Sequence, residues 1–233
     1  MRRVPSTELL DSDNGTPGEV ASSLQDLERI NRWFGGVSTT RNLIRSVSNR
    51  INTRALTMLE VAGGSGYVST TVKEDLARVG IKLRVTLLDR VVTHLGESNG
   101  QQRLAGDALA LPFSDNSFDL VVSNLFVHHL SPAELTCFAR EGVRVCARAF
   151  LINDLIRSPL HLAAVYAGLP LYRSRLTRHD APASVRQSYT PLEIAELLRG
   201  GAGTRVEITR HYLFRMGVTV WKHSHIAEGD TSV

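Results

Sequence analysis

The fold of the chain is decided by one stretch: Leu59-Glu60-Val61-Ala62-Gly63-Gly64-Ser65-Gly66-Tyr67. Here an apolar strand gives way to a glycine-rich turn and then to a helix. Gly63, Gly64 and Gly66 have no side chains, so the backbone of the turn can approach a bound group closely. The N–H groups that begin the helix suit a carboxylate or a phosphate. This stretch predicts a ligand-binding turn, although a tight turn without a ligand would have the same composition.

Short apolar runs and helical stretches alternate along the chain after this turn. Strands are predicted at 57–61, 82–88, 118–123 and 149–153, and helices at 69–79, 91–97 (the weakest) and 132–145. Alternation at these lengths predicts an α/β fold with a parallel sheet covered by helices on both faces. The final runs, 205–214 and 218–222, predict an antiparallel hairpin that closes the sheet.

The segments around this alternating core divide the chain into parts. Residues 1–22 are rich in Ser, Thr, Pro, Gly and Asp and predict an arm or a lid, and helices are predicted over 23–34 and 39–51. Thr190 as N-cap and Gly200-Gly201 beyond the end predict a helix over 191–198. The predicted organisation is an arm with lid helices at 1–50, one domain at 51–222 with a helical insertion at about 157–190, and a loose tail at 223–233.

Composition narrows the class of protein. The chain has 233 residues, 42% hydrophobic and 21% charged, which is typical of a globular protein with one domain. No apolar run is long enough to span a membrane, and Glu8, Asp11 and Asp13 interrupt any signal peptide, so a cytoplasmic protein is expected. The net charge of +4 is scattered, so no nucleic-acid partner is predicted. Cys137 and Cys146 lack metal-ligand spacing and are expected to be reduced thiols.

Two acids follow the next predicted strands. Asp89 ends the run Thr86-Leu87-Leu88-Asp89, and Asp107 begins the stretch Asp107-Ala108-Leu109-Ala110-Leu111-Pro112-Phe113. An acid at the carboxyl end of the second strand can accept both hydroxyls of a ribose. Either acid alone is more often a solvated loop residue, but two acids at successive strand ends are much harder to explain in that way.

The residues at 60–66, 89, 106–113 and 118–125 resemble, in order and content, the successive motifs of class I S-adenosylmethionine-dependent methyltransferases. The resemblance covers about residues 55–155. It implies a three-layer, Rossmann-like fold with a mostly parallel seven-stranded sheet and an antiparallel C-terminal hairpin. A nicotinamide dehydrogenase is disfavoured, because Ser69 would stand in the place of the third glycine of its phosphate-binding loop.

The resemblance also implies which residues bind the cofactor, S-adenosylmethionine. Glu60 would hold the loop and the cofactor's amino group, Asp89 the ribose, and Asp107 the adenine amine. The other residues expected to line the cofactor are Ala62, Gly63, Gly64, Gly66, Arg90, Ala108, Asn124, Leu125 and Arg32, the last from a lid helix in which Asn31 is the alternative. Ala62 replaces the family's usual first glycine, which a negative φ at this position would tolerate.

Four residues are candidates for acid–base chemistry. His128 and His129 follow the fourth strand and either order the pocket or act as a base. His179 is expected in a loop after the insertion, and Asp154 ends the fifth strand. Methyl transfer is an in-line displacement that needs mainly alignment, and a base helps only if the acceptor must lose a proton. No metal is expected.

The acceptor is predicted to be a small molecule. The chain resembles bacterial enzymes that methylate phenolic polyketides or quinone precursors, which favours the oxygen of a phenol or an enol. The alternatives are C-methylation of a quinone precursor and a non-catalytic protein that binds S-adenosylmethionine. RNA methylation is disfavoured, because neither an aromatic motif after the fourth strand nor an added basic domain is present. A monomer or a homodimer is expected.

Overall fold

The computed structural model describes residues 1–10, 15–91, 101–202 and 205–222, and strands within these ranges form one sheet. The strands are β1 (Ala55–Val61), β2 (Lys82–Asp89), β3 (Gln102–Ala105), β4 (Phe118–Asn124), β5 (Cys146–Leu155), β6 (Arg205–His211) and β7 (Arg215–Trp221). Their order is β3-β2-β1-β4-β5-β7-β6. The pairs among β1 to β5 are parallel, and β7 is antiparallel to both β5 and β6.

Helices cover both faces of the sheet. They are α1 (Pro17–Trp33), α2 (Gly36–Arg50), α3 (Tyr67–Ala77), α4 (Pro132–Val145), α5 (Pro159–Gly168), α6 (Arg175–Gln187) and α7 (Pro191–Ala202). Alternate residues of β5 enter opposite cores: Phe150 packs in the cluster that includes Phe138 of α4, and Leu151 packs in the cluster that includes Ile44 of α2. The predicted three-layer fold with an antiparallel C-terminal hairpin is therefore confirmed.

Helix α4 has the bounds that the sequence predicts. Ser131 accepts a hydrogen bond from the backbone N–H of Glu134, the Glu134 side chain accepts one from the N–H of Ser131, and Pro132 occupies the first turn. This reciprocal capping satisfies two N–H groups that have no partner within the helix. The same signals explain why α1 begins at Pro17, whereas the sequence analysis assigned residues up to 22 to an arm. Thr16 and Glu19 form the capping box there.

Two other boundaries differ from the predictions. Helix α7 continues to Ala202, past the predicted stop at Gly200-Gly201. The predicted loop around His179 is helical, because α6 runs from Arg175 to Gln187 and contains Pro182. Proline removes one backbone donor and its ring crowds the carbonyl four residues earlier, yet α6 continues around Pro182. Apart from Val91, the predicted helix at 91–97 lies outside the described residues, as does the predicted tail at 223–233.

Two further features of the described residues concern membrane-spanning helices and the cysteines. Across the described residues, no helix combines the length and the apolar character that crossing a membrane requires. Cys137 is half-buried, Cys146 is buried, and both are free thiols, as predicted.

Replacement of Gly142 by alanine tests the packing of α4 on β5. A Cβ atom at this position would lie 2.8–3.1 Å from ring atoms of Phe150. We expect Gly142→Ala to lower the free energy of unfolding by about 1–3 kcal/mol, as overpacking does. Urea denaturation measures the change. Gly18→Ala on α1 is the control, because its Cβ would meet nothing within 4 Å. An equal loss in both variants would contradict the close contact.

Candidate active site

The candidate site lies at the carboxyl ends of the parallel strands. The strand order reverses between β1 and β4, which are neighbours, while the chain runs outward to β2 and β3 on one side and to β5 on the other. Open α/β sheets bind ligands in the crevice at such a switch point. The glycine-rich turn after β1 and the residues that end β2, β4 and β5 all meet there.

The glycine-rich turn is held by backbone contacts that leave little room for side chains. Gly63 N–H donates to Leu88 O at 3.3 Å, and Gly66 N–H donates to Gly63 O at 2.9 Å. Gly66 has φ +74°, and a Cβ atom there would lie 2.5 Å from Leu87 Cδ1. Any other residue at Gly66 would be strained in its backbone and would clash.

Ala62 adopts the left-handed conformation with φ +56°. The condition under which alanine would be tolerated here without strain, a negative φ, is therefore not met. The register of the turn requires the conformation that glycine adopts freely, and an alanine there carries a strain of about 1–2 kcal/mol. Leu125, after β4, also has a positive φ of +52°. Two strained residues thus flank the crevice.

Asp89 ties the end of β2 to the glycine-rich turn. Its Oδ2 accepts a hydrogen bond from Gly64 N–H at 2.9 Å, and its Oδ1 accepts one from Val91 N–H at 2.9 Å. The side chain is buried, whereas the neighbouring Arg90 is exposed. Each carboxylate oxygen can accept a further hydrogen bond, so the carboxylate can hold the turn and a hydroxyl of a ligand together.

Glu60 is the buried acid at the end of β1. It is 2% exposed, its Oε1 accepts a hydrogen bond from Asn124 Nδ2 at 2.7 Å, and its Oε2 has no partner. Burial, with the Asp89 carboxylate nearby, raises the pKa of Glu60 to about 7. An unpartnered, buried carboxylate oxygen next to the turn is the group that a cationic amine would pair with.

A hydrogen-bond network continues from Glu60 across the sheet edge. Asn124 Oδ1 accepts from Thr40 Oγ1 and, at 3.1 Å, from Asn153 Nδ2. Asn153 Nδ2 also donates to Gly36 O at 2.8 Å. The network joins the ends of β1, β4 and β5 to the start of α2. The sequence analysis missed Asn153, although a polar pair, Asn153-Asp154, after an apolar strand was a usable signal.

The residues predicted to contact the adenine differ in exposure. Asp107 is exposed, and its Oδ1 accepts a hydrogen bond from Leu109 N–H at 2.9 Å. Ala108 is 9% exposed and packs in the same core cluster as Leu88 and Leu111. The turn at 107–110 thus presents the Asp107 carboxylate outward while Ala108 anchors it.

The end of α1 presents Asn31, and not Arg32, to the interior. Arg32 is exposed, whereas Asn31 is buried and its Oδ1 accepts a hydrogen bond from Arg215 Nη2 at 3.2 Å. Arg215 Nε also donates to Phe34 O at 3.2 Å. Arg215 is 1% exposed, and burial lowers its pKa to about 10, so it stays cationic at neutral pH. The sequence analysis did not single out Arg215.

His128 lies between two carboxylates. Its Nδ1 is 2.7 Å from Asp154 Oδ1, and its Nε2 is 3.6 Å from Glu8 Oε1. The imidazole is 3% exposed, and burial alone would lower its pKa, but the two carboxylates outweigh burial and raise the pKa to about 10. His128 is therefore a cation at neutral pH with both ring nitrogens engaged, which makes it a poor base. No sequence signal linked the distant Glu8 to this pair.

The other two histidine candidates have different surroundings. His129 is half-buried, and its ring lies 4.1 Å, centroid to centroid, from that of His128. His179 lies on α6 with its side chain 51% exposed, and its Nδ1 is 2.8 Å from Asp180 Oδ1. The structure thus brings His128, His129 and Asp154 together, and pairs His179 with a different acid.

Comparison with known proteins agrees with this architecture. Residues 59–149 match the family model described as a methyltransferase domain. A search of curated proteins found no match. Similar solved structures include the plantazolicin methyltransferase BpumL in complex with SAH (TM-score 0.68, 11% identity, 93% of this chain and 95% of that one). A second is the magnesium protoporphyrin IX methyltransferase ChlM of Synechocystis PCC 6803 (TM-score 0.56, 12% identity, 85% of this chain and 86% of that one). A third is a SAM-dependent methyltransferase of Aquifex aeolicus (TM-score 0.52, 18% identity, 71% of this chain and 81% of that one).

At such low identity, the similar solved structures establish the fold alone. The family match adds that residues 59–149 resemble a methyltransferase domain. Together they show that the chain has the fold of class I methyltransferases and that residues 59–149 match a methyltransferase domain. Its matched segment is a methyltransferase domain that runs from within β1 into β5 and carries Glu60, the glycine-rich turn, Asp89, Asp107 and Asn124. The methyl donor of this class is S-adenosylmethionine.

Replacement of Ala62 by glycine tests the strain in the turn. We expect Ala62→Gly to raise the free energy of unfolding by about 1 kcal/mol, because glycine adopts a positive φ without strain. Urea denaturation measures it. Ala21→Gly, at an exposed position within α1, is the matched control and should lower stability by about 1 kcal/mol. If both variants lose stability alike, Ala62 is not strained.

The raised pKa of Glu60 predicts how stability varies with pH. Between the usual pKa of 4.5 and the folded value of about 7, the folded chain holds a proton that the unfolded chain has lost. This contribution is complete below pH 4.5 and is lost as the pH rises through about 7. Glu60→Gln does not titrate, so it lacks this loss of stability at higher pH. The free energy of unfolding of the variant minus that of the wild type should therefore rise by on the order of 2 kcal/mol between about pH 5 and pH 8. Urea denaturation at both pH values measures the difference, and a constant difference would contradict the raised pKa.

Proposed function

We propose that the protein transfers the methyl group of S-adenosylmethionine to a small apolar or aromatic acceptor, at the oxygen of a phenol or an enol. The observation that carries the proposal is the constellation at the switch point: the unpartnered Glu60 Oε2, the left-handed turn and the Asp89 carboxylate that holds it. This set of groups fits a ligand that has an amine, a carboxylate and a ribose.

The residues present fit the cofactor group by group. Glu60 Oε2 would accept the amino group, which favours the ionised acid and would lower its pKa on binding. The turn has open space beside Gly64, since a Cβ there would meet nothing within 4 Å. Asp89 would hold the ribose and Asp107 the adenine amine. S-adenosylmethionine supplies the activated methyl group, and the protein's part is to bind, orient and exclude water.

The acid–base arrangement favours an acceptor that ionises easily. His128 is held as a cation between Glu8 and Asp154, so it can order the pocket but is poorly suited to remove a proton. A phenol or an enol needs less help to ionise than an aliphatic alcohol. The half-buried His129 is the remaining candidate for a base beside the crevice.

Two alternatives stay open. C-methylation of a quinone precursor would use the same cofactor site, and a ring that is already electron-rich would need no base. A non-catalytic protein that binds S-adenosylmethionine would also retain Glu60 and Asp89. A screen of phenols and quinols with labelled cofactor separates the three, because label enters an ether in the first case, a ring carbon in the second and no product in the third.

Calorimetric titration with S-adenosylhomocysteine tests the cofactor site. We expect micromolar binding to the wild type and at least about tenfold weaker binding to Asp89→Ala, which loses both the ribose acceptor and the contact that holds Gly64. Asp115→Ala, at an exposed acid that pairs with Arg144, is the matched control and should bind like the wild type. Absence of binding to the folded wild type would overturn the proposed function.

A further inference from the structure

The first residues of the chain lie over the segment that follows β4 and are held there by polar contacts. We call residues 3–10 the N-terminal strap. Arg3 donates to His128 O at 2.9 Å and to Leu130 O at 2.8 Å, and its guanidinium lies 4.1 Å from the ring centroid of Tyr189. The strap therefore crosses the short helical turn after β4, which carries His128 and His129.

The strap is also tied to α6 by four of its own backbone N–H groups. Val4 donates to Arg186 O at 3.1 Å, and Ser6 donates to Gln187 Oε1 at 3.1 Å. The remaining two, at Leu9 and Leu10, donate to the Asp180 carboxylate at 2.8 and 3.1 Å. No apolar side chain of the strap is fully buried, since Val4 is 51% exposed and Leu9 and Leu10 are half-buried. A segment held by hydrogen bonds can detach without exposing a core.

One side chain of the strap enters the buried charge cluster. Glu8 is 8% exposed, and its Oε1 accepts hydrogen bonds from Ser184 Oγ at 2.6 Å and Gln187 Nε2 at 2.7 Å. The same oxygen faces His128 Nε2 at 3.6 Å, while Asp154 holds Nδ1 on the far side. The imidazole is thus fixed from both sides, but one of its two partners arrives only when the strap is closed.

We propose that Glu8 is a positioning residue for the acceptor: it pairs with His128 when the strap closes over the carboxyl ends of β4 and β5, and so fixes the imidazole and encloses the acceptor. The contacts that close the strap are made by residues of the chain itself. Its part in enclosing an acceptor rests on the proposed function. With the strap open, His128 would keep only Asp154, and the acceptor could enter or leave past Glu8.

Amide hydrogen exchange on the full chain tests the closure. In Glu8→Gln, we expect the N–H groups of Val4, Ser6, Leu9 and Leu10 to exchange at least about tenfold faster than in the wild type, while those of β4 and β5 stay protected. Glu74→Gln, at an exposed acid on α3, is the matched control. Glu8→Asp retains the charge on a shorter side chain and repeats the test if the glutamine variant folds poorly.

A double-variant cycle shows whether Glu8 acts through His128. His128→Gln alone should release the strap as Glu8→Gln does, and the two together should release it no further, because both remove the same pair. Additive effects, or no change in Glu8→Gln, would overturn the proposal. So would micromolar Zn²⁺ binding to the chelator-treated protein that Glu8→Gln abolishes, because Glu8, His128 and His129, whose ligand atoms all lie within 4.8 Å of one another, would then serve as metal ligands.

Turnover separates positioning from a merely structural role. With an acceptor from the phenol and quinol screen, Glu8→Gln should raise KM for the acceptor by about tenfold and leave KM for S-adenosylmethionine unchanged. Equal changes in both constants would overturn the assignment. Failure of the proposed function is distinguishable, since the wild type would then not bind S-adenosylhomocysteine while the exchange results would still report strap closure.

Discussion

A buried line of hydrogen bonds from Glu60 through Asn124 to Asn153 holds the carboxyl ends of β1, β4 and β5 at a fixed spacing. The line ends on the first turn of α2, at Gly36 and Thr40. Every other group of the site is placed relative to these three strand ends. A buried amide that loses its partners costs about 1–3 kcal/mol, so the spacing cannot change by small steps. The crevice is therefore formed before any ligand arrives.

The chain's local patterns predict most of the fold. The alternation of apolar runs and helical stretches, with a capping box before α4, is a local signal, and it leads to the correct layers and to the correct position of the glycine-rich turn. The errors arise where a local signal was read too strongly. Gly200-Gly201 did not end α7, although each glycine lowers helix propensity by about 1 kcal/mol, and the loop expected around His179 is part of α6.

The candidate site is predictable only where its members follow strand ends. Glu60, Asp89, Asn124 and Asp154 could be named because parallel strands bring their carboxyl ends to one edge. Glu8 and Arg215 could not, since they reach the cluster from opposite ends of the chain without a motif. The cluster nevertheless needs both: two buried acids, Glu8 and Asp154, are accompanied by two buried cations, His128 and Arg215.

The polar attachment of the strap determines how its opening depends on temperature and on denaturant. The heat capacity and the denaturant dependence of an opening reaction both scale with the apolar and total surface that it exposes. Val4 is 51% exposed, Leu9 and Leu10 are half-buried, and the contacts that break are mostly single hydrogen bonds. Opening of the strap therefore carries much less heat-capacity change and urea dependence than unfolding of the sheet does. The fraction of molecules with an open strap therefore depends mainly on the strap's hydrogen bonds and only weakly on the apolar burial that stabilises the sheet.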